Sequence, residues 1–376
     1  MEFFWPTPTG KLPWSGCQRS VFYRLIRQGM DSQNLKRSSN TSSSVVTLDM
    51  VARLAQVSPS TVSRILNGTA VVSDEKKKAV DEAIAKLRFV PNPIARGLAG
   101  GKTMSIGVIT QALDSPFYGV AMSSIEAELD PAGYSALYVS GEWNAKTEAR
   151  CIDILLSRRV DGIIVLMGRL SDQVLKSCAK KVPTVVSGRS LHAKSLFSLN
   201  SDNFEGGRLA TQHLIDLGHR KIAFIAGDMH HPDATERLRG YRSAIEAAGL
   251  GFDSKLVLQG DFRETSGVQA VEQLVTSKTR FTAIFAANDQ MALGAALGLH
   301  QNGLRIPHDV SLVGFDDLPV AAYTLPPLTS VHESAEDIGR LAARAVMALI
   351  NGNKPTFTLP GPKLVVRAST AAPRLV

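Results

Sequence analysis

Residues 47–101 read TLDMVARLAQVSPSTVSRILNGTAVVSDEKKKAVDEAIAKLRFVPNPIARGLAGG. Val51, Leu54 and Ala55 fall on one face at helical spacing, which predicts a short amphipathic helix capped by the hydroxyl of Thr47. The pattern breaks at Gln56-Val57-Ser58. Ser58-Pro59 then restarts a helix, with Ser58 as N-cap and Pro59 at the first position, where its missing N–H costs nothing. Val62, Ile65 and Leu66 point inward, which leaves Ser60, Thr61, Ser63 and Arg64 outside. Small hydroxyls and helix N-terminal amides hold phosphates, and an arginine can bind guanine O6 and N7 together. Two helices joined by a tight turn, the second with this outer face, predict a helix-turn-helix DNA reader. A plain helical hairpin with a polar face shares the pattern, so the assignment needs support from the rest of the chain.

Charge supplies it. The chain has 376 residues and a net charge of +8. Residues 1–102 hold 15 Lys/Arg and 7 Asp/Glu, whereas the remaining 274 hold 27 of each. The whole excess sits on the first quarter, as expected of a part that meets a polyanion. Ser73 is expected to cap a third helix over 74–87, with Asp74-Glu75 in its first turn. Lys76-Lys77-Lys78 read as a largely solvated face. Pro91 and Pro93 stop that helix. A short segment over 91–102 follows, in which Gly97 costs about 1 kcal/mol against Ala, so it is marginal as a helix in water. Leu98 beside Arg96 suits an apolar wedge that enters a minor groove; a flexible linker is the other reading. Residues 1–45 are expected to be a disordered arm or the product of an early start codon, with Met30 as the better alternative start.

From Met104 onward short apolar runs alternate with amphipathic stretches. Strands are expected at 105–110, 135–139, 162–167, 184–187, 222–226, 256–259, 283–287 and 311–315. Helices are expected at 118–132, 146–157, 206–217, 238–248, 265–276 and 290–302. That alternation predicts parallel sheets with helices on both faces. The break near 199–203 divides it into two α/β lobes in series with a cleft between. Ligands in open α/β sheets sit beyond the carboxyl ends of the strands. There the sequence places Phe117 and Tyr118, Arg189, Asp233 and Arg237, Phe262, and Asp289. Rings that stack on C–H faces and charged planar groups that bind paired hydroxyls suit a sugar site.

Other chemistries lack their motifs. No phosphate-binding glycine loop, nucleophile elbow or H-E-x-x-H is present, so no catalytic residues and no cofactor are expected. Cys17, Cys151 and Cys178 are odd in number and far apart, which favours neither disulfides nor zinc and fits a reducing cytoplasm. His230-His231 with Asp233 is too sparse for a metal site. No apolar run reaches a membrane span, and residues 1–29, without an uninterrupted apolar core, are not expected to act as a signal peptide.

Taken in order, TLDMVARLAQVSPSTVSRILNG, VSDEKKKAVDEAIAKLRFVPNPIARGLAGG, DSPFYG, GGRLATQHLIDLGHRKIAFIAG, RLRGYRSAI, FAANDQMALGA, IPHDVSLVGFDD and TLPPLTSV resemble the lactose-repressor (LacI/GalR) family of bacterial transcription regulators. The resemblance runs from about residue 46 to 370. It implies an all-α helix-turn-helix headpiece (46–90), a hinge (91–102) and a two-lobed, periplasmic-binding-protein-like core (103–370), with a tail at 371–376. It implies base reading by Pro59, Ser60 and Arg64 and phosphate contacts by Ser58, Thr61, Ser63 and Asn67. Leu98, with Arg96, matches the hinge wedge. Phe117, Tyr118, Arg189, Asp233, Arg237, Phe262 and Asp289 match effector positions. The implied partners are double-stranded operator DNA, a small effector (a sugar or glycoside, with a purine as the alternative) and a second copy of the chain. Gln56 departs from the glycine common at the turn, and the arm has no family counterpart. The tail lacks heptads, so a dimer rather than a coiled-coil tetramer is expected.

Overall fold

The computed structural model describes residues 46–66, 72–89 and 101–374. The chain divides into two compact units, Met1–Val90 and Pro91–Val376.

In the first unit, α1 (Leu48–Leu54), α2 (Pro59–Leu66) and α3 (Asp74–Leu87) enclose a small core of Val51, Ala52, Ala55, Val62, Val80, Ala83 and Phe89. Ile65 and Leu66 pack at its edge. Leu54 departs from expectation: it is 42% exposed, and Ala52 takes the inward place. The α1–α2 turn runs through Gln56 at φ 53°, a left-handed conformation that a Cβ disfavours by about 1 kcal/mol or more. Two caps also differ. Neither Thr47 nor Ser73 makes a side-chain cap bond; their backbone carbonyls accept the first-turn amides instead. Ser58 caps as expected, its Oγ accepting from the Thr61 amide at 3.2 Å.

The second unit is built on two sheets. In chain order the first lobe contains β1 (Ser105–Thr110), α4 (Pro116–Leu129), β2 (Ser135–Ser140), α5 (Ala145–Ser157), β3 (Gly162–Val165), α6 (Asp172–Ala179), β4 (Thr184–Ser187) and β5 (Leu196–Leu199). Its strands are parallel in the order β2-β1-β3-β4-β5. The chain then crosses to α7 (Asn203–Asp216), β6 (Ile222–Ala226), α8 (Pro232–Ala247), β7 (Val257–Gln259), α9 (Glu264–Thr276), β8 (Ala283–Ala286), α10 (Asp289–Gln301), β9 (Ser311–Asp316) and β10 (Thr329–His332).

The lobes are not simply in series. The next helix, α11 (Ala335–Ile350), returns to the first lobe and packs on α4, β3, β4 and β5. The chain then goes back to add β11 (Lys363–Val365), antiparallel, at the edge of the second sheet, in the order β11-β10-β9-β8-β6-β7. The 3.6-residue periodicity of α11 shows that it is a helix; which sheet it covers depends on long-range packing. Ile338, Leu341, Ala342 and Val346 bury it in the first lobe's core. Phe224, Tyr241, Phe285 and Phe315 anchor the core of the second lobe. Strand β5, strand β10, strand β11 and helices α6 and α11 lie outside the elements expected from the sequence. The three strands are only three or four residues long, too short to show alternation.

Candidate DNA interface and effector cavity

In the headpiece, Ser58, Pro59, Ser60 and Arg64 are exposed, and Thr61 and Ser63 are half-buried. Val62 is buried beneath them. The Ser58 hydroxyl lies 2.8 Å from both the Ser60 and Thr61 hydroxyls. This cluster therefore sits at the N-terminus of α2, where free amides and the helix dipole favour phosphate. The Arg64 Nε lies 3.4 Å from the Ser60 carbonyl, which lays the side chain back along its own helix. Lys76, Lys77 and Lys78 are all exposed on α3. Asn67, Arg96 and Leu98 lie outside the described residues.

In the second unit a cavity of about 630 Å³ opens between the lobes. Every strand end predicted to carry it contributes except one. The β1–α4 segment supplies Gln111, Asp114, Ser115, Phe117 and Tyr118, and the β2–α5 loop supplies Glu142 and Trp143. The second lobe supplies Asp228, His231, Asp233 and Arg237 after β6, Phe262 after β7, Asn288 and Gln290 after β8, and Asp316 at the end of β9.

Arg237 organises the floor. It is 4% exposed and packs its guanidinium 3.6 Å from the centre of the Phe315 ring. Its Nε donates to Asn203 Oδ1 at 2.7 Å, its Nη1 to the Ala287 carbonyl at 2.6 Å and its Nη2 to Glu333 Oε2 at 2.6 Å. Asp316 Oδ1 lies 3.5 Å from Nη1. The α7–α8 packing sets this position: a Cβ on Gly207 would run into the Arg237 backbone carbonyl. Burial pushes the Asp316 carboxyl well above the usual range, with Arg237 opposing. Burial, aided by Glu333, pushes Asp233 up to about 7. Asp316 also has φ 101°, a strained backbone of the kind that gathers at functional sites.

Aromatic groups line the other side. Phe117 and Tyr118 meet edge to face at 5.5 Å. Trp143, from the first lobe, stacks on His231, from the second, at 3.5 Å and 22°. His231 in turn lies nearly parallel to Phe262 at 5.3 Å. Burial pushes the His231 imidazole down to about 4, so at neutral pH the stack is uncharged. Phe262 has φ 68° and rests on Gly227, where a Cβ would fill the place of its ring. The lobes also meet through Arg169 with Asp228 at 2.8 Å and Arg263 with Asp114 at 3.3 Å.

Two expected effector residues are placed elsewhere. Asp289 is fully buried behind the cavity wall. Its carboxylate accepts from the Leu318 amide at 2.7 Å and the Ser330 hydroxyl at 2.6 Å. As the first residue of α10 it points into the sheet, while Asn288, the N-cap, and Gln290 face the cavity. Arg189 donates to the Gly168 and Leu170 carbonyls and lines a separate pocket with Asp172, Asn203 and Glu236. Asp233 lines both spaces. The residues missed were Asp316, Trp143 and His231 as a ring. The strand-end rule reaches all three; Asp316 lay one residue past the predicted end of its strand. Among the described residues no group of three or more His, Cys, Asp or Glu could hold a metal ion, and no helix is long and apolar enough to cross a membrane.

The first unit carries the helix-turn-helix arrangement of DNA readers, and the second a two-lobed α/β core with an interlobe cavity. Residues 47–92 match the bacterial regulatory proteins of the lacI family, and residues 211–370 match the periplasmic binding protein-like domain. The ribose operon repressor of Haemophilus influenzae is 33% identical over 328 residues, 86% of this chain and 98% of that protein. The transcriptional regulator CelR of Thermobifida fusca is 38% identical over 335 residues, with the same coverage of each chain. Among solved structures, the Lac repressor dimer bound to operator and an anti-inducer superposes with a TM-score of 0.79 at 31% identity, covering 87% of this chain and 99% of that one. The CelR–cellobiose complex does so with a TM-score of 0.64 at 36% identity, covering 86% and 99%. The chain belongs to the lacI family and is a DNA-binding transcriptional regulator.

Proposed function

We propose that this regulator is a cytoplasmic, homodimeric repressor released from or held on its operator by a sugar or glycoside bound between the lobes. The observation that carries the reading is the cavity itself. Residues from both lobes wall it, polar groups at the strand ends converge on it, and Phe117, Tyr118, Trp143 and Phe262 bring aromatic surface to it. A ligand there changes DNA affinity only by binding two lobe arrangements differently. The contacts that would discriminate them are the interlobe ones: Trp143 on His231, Arg169 with Asp228, and Arg263 with Asp114. The cellobiose found with CelR and the operator found with the Lac repressor dimer support the same reading.

In the headpiece, Pro59, Ser60 and Arg64 would read bases while Ser58, Thr61, Ser63 and Asn67 hold phosphates. Leu98 and Arg96 would enter the minor groove between half-sites. Dimerisation is supported by an exposed apolar segment of the second lobe. Tyr323 is 83% exposed and Leu325 96%, with Val320 nearby in sequence also exposed. Side chains of this kind are commonly covered by a partner. Sedimentation of a Tyr323→Asp, Leu325→Asp variant should show monomers; an intact dimer places the interface elsewhere.

The test of the function is an electrophoretic shift with a palindromic site from the regulator's own upstream region, with and without saccharides. Operator binding that a saccharide alters supports the proposal. No binding to operator-length DNA in any ligand state overturns it. A planar purine is the second reading, favoured by the aromatic side chains Phe117, Tyr118, Trp143 and Phe262 in the lining. A thermal-shift panel of sugars and purines separates the two.

A further inference from the structure

We propose that the cavity selects uncharged ligands, so that the effector is a saccharide without phosphate or carboxylate, because Glu333 already neutralises the Arg237 guanidinium within the wall. This rests on the saccharide reading above and adds a rule that the reading does not contain. A buried arginine beside a ligand cavity is ordinarily the natural receptor for an anionic group. Here most of that capacity is taken, since three of the five guanidinium N–H groups are bonded within 2.7 Å. Nη2 is 2.6 Å from Glu333 Oε2, Nη1 is bound to the Ala287 carbonyl with Asp316 close by, and Nε is bound to Asn203. Both members of the Arg237–Glu333 pair are almost wholly buried. An anion at the guanidinium would compete for its charge with a carboxylate that is itself buried.

The remaining charges of the cavity do not compensate. Arg263 lies at the exposed rim, 3.3 Å from Asp114, and Asp228 is paired with Arg169. His231 is held neutral by burial. Glu142 and Asp261 add further carboxyl groups to the lining. An anionic ligand would therefore lose its hydration and meet acceptors where it needs donors. Hydroxyl groups face the opposite balance: they donate to these carboxyls and need few donors in return. The cavity, about 630 Å³, has room for more than a single pyranose.

The experiment is calorimetric titration of the full chain with matched sets: neutral disaccharides, their 6-phosphates and their uronic acids, together with purine nucleosides and their 5′-monophosphates. The neutral member of the binding set should bind at least a hundredfold tighter than its anionic forms. Glu333→Gln should narrow that gap at least tenfold by freeing the guanidinium. A phosphorylated or carboxylated ligand that binds as tightly as its neutral parent overturns the charge rule while leaving the saccharide reading intact. Nucleosides that bind while disaccharides do not would overturn the saccharide reading, and the nucleotide comparison would still decide the charge rule. Inorganic phosphate gives a test without a known ligand. Besides Trp143, tryptophan occurs in this chain only at Trp5 and Trp14. In a Trp5→Phe, Trp14→Phe variant, Trp143 emission should not respond to phosphate beyond a chloride control of equal ionic strength. A saturable response overturns the proposal.

Discussion

Replacing Asp289 with asparagine tests whether this carboxyl supports the wall of the cavity or contacts the ligand. Asp289 is fully buried, and burial pushes it from 3.8 to about 7, against the opposing hydrogen bonds from Ser330 and Leu318. The folded state thus keeps a proton that the unfolded chain releases near pH 4. A rise of that size, at ~1.36 kcal/mol per pH unit, is worth about 4 kcal/mol. For a raised acid the sign is fixed. The contribution is complete below about pH 4, falls as pH rises, and is gone once pH has passed through about 7. The amide of the Asp289→Asn variant carries no proton equilibrium, so the stability difference between wild type and variant should shrink by about 4 kcal/mol from pH 4 to 8. Asp233 remains in both proteins and cancels, whereas Asp316, whose carboxyl Asp289 helps to raise, adds to the same shrinkage. A core of this size converts 1 kcal/mol into roughly 2 °C, so the gap in melting temperature should close by about 8 °C across that range. Calorimetric scans of both proteins at half-unit steps of pH would measure it. A gap that stays constant within about 1 °C would refute the reasoning, since Asp289 would then ionise as it does in water. Ligand affinity should change only a few-fold, because the carboxylate does not line the cavity.

Arg237→Met should cost about 3–5 kcal/mol, because it leaves the buried Glu333 without its partner, and should abolish the response of operator binding to ligand; a folded variant with a normal response would remove Arg237 from the site. Gln56→Gly should stabilise the headpiece by up to about 1 kcal/mol by relieving the left-handed turn, read as a rise in its melting temperature. Arg64→Ala should weaken operator binding by about 1–3 kcal/mol and relax sequence preference at one position of each half-site, while non-specific DNA affinity changes much less. Equal loss on both kinds of DNA would make Arg64 a phosphate contact.

Much of this protein is local, and the local part is legible in the chain. Apolar spacing, the Ser58-Pro59 start and the charge split set the three headpiece helices, because helix periodicity and caps depend on neighbours within a few residues. Eight strands of the core announced themselves as apolar runs. The strand-end rule singles out Phe117, Tyr118, Asp233, Arg237 and Phe262 from the sequence, and all five line the cavity. The tertiary structure decided what depends on distant partners. It sent α11 back to the first lobe. It turned Asp289 into the wall and Arg189 into a neighbouring pocket, because the direction of a side chain at a helix start depends on what the helix packs against. It brought Trp143 onto His231 from 88 residues away in the chain, and Glu333 onto Arg237 from 96. No spacing in the sequence encodes those meetings. They follow from sheet order and from lobe closure, and they decide which charges the cavity leaves for a ligand.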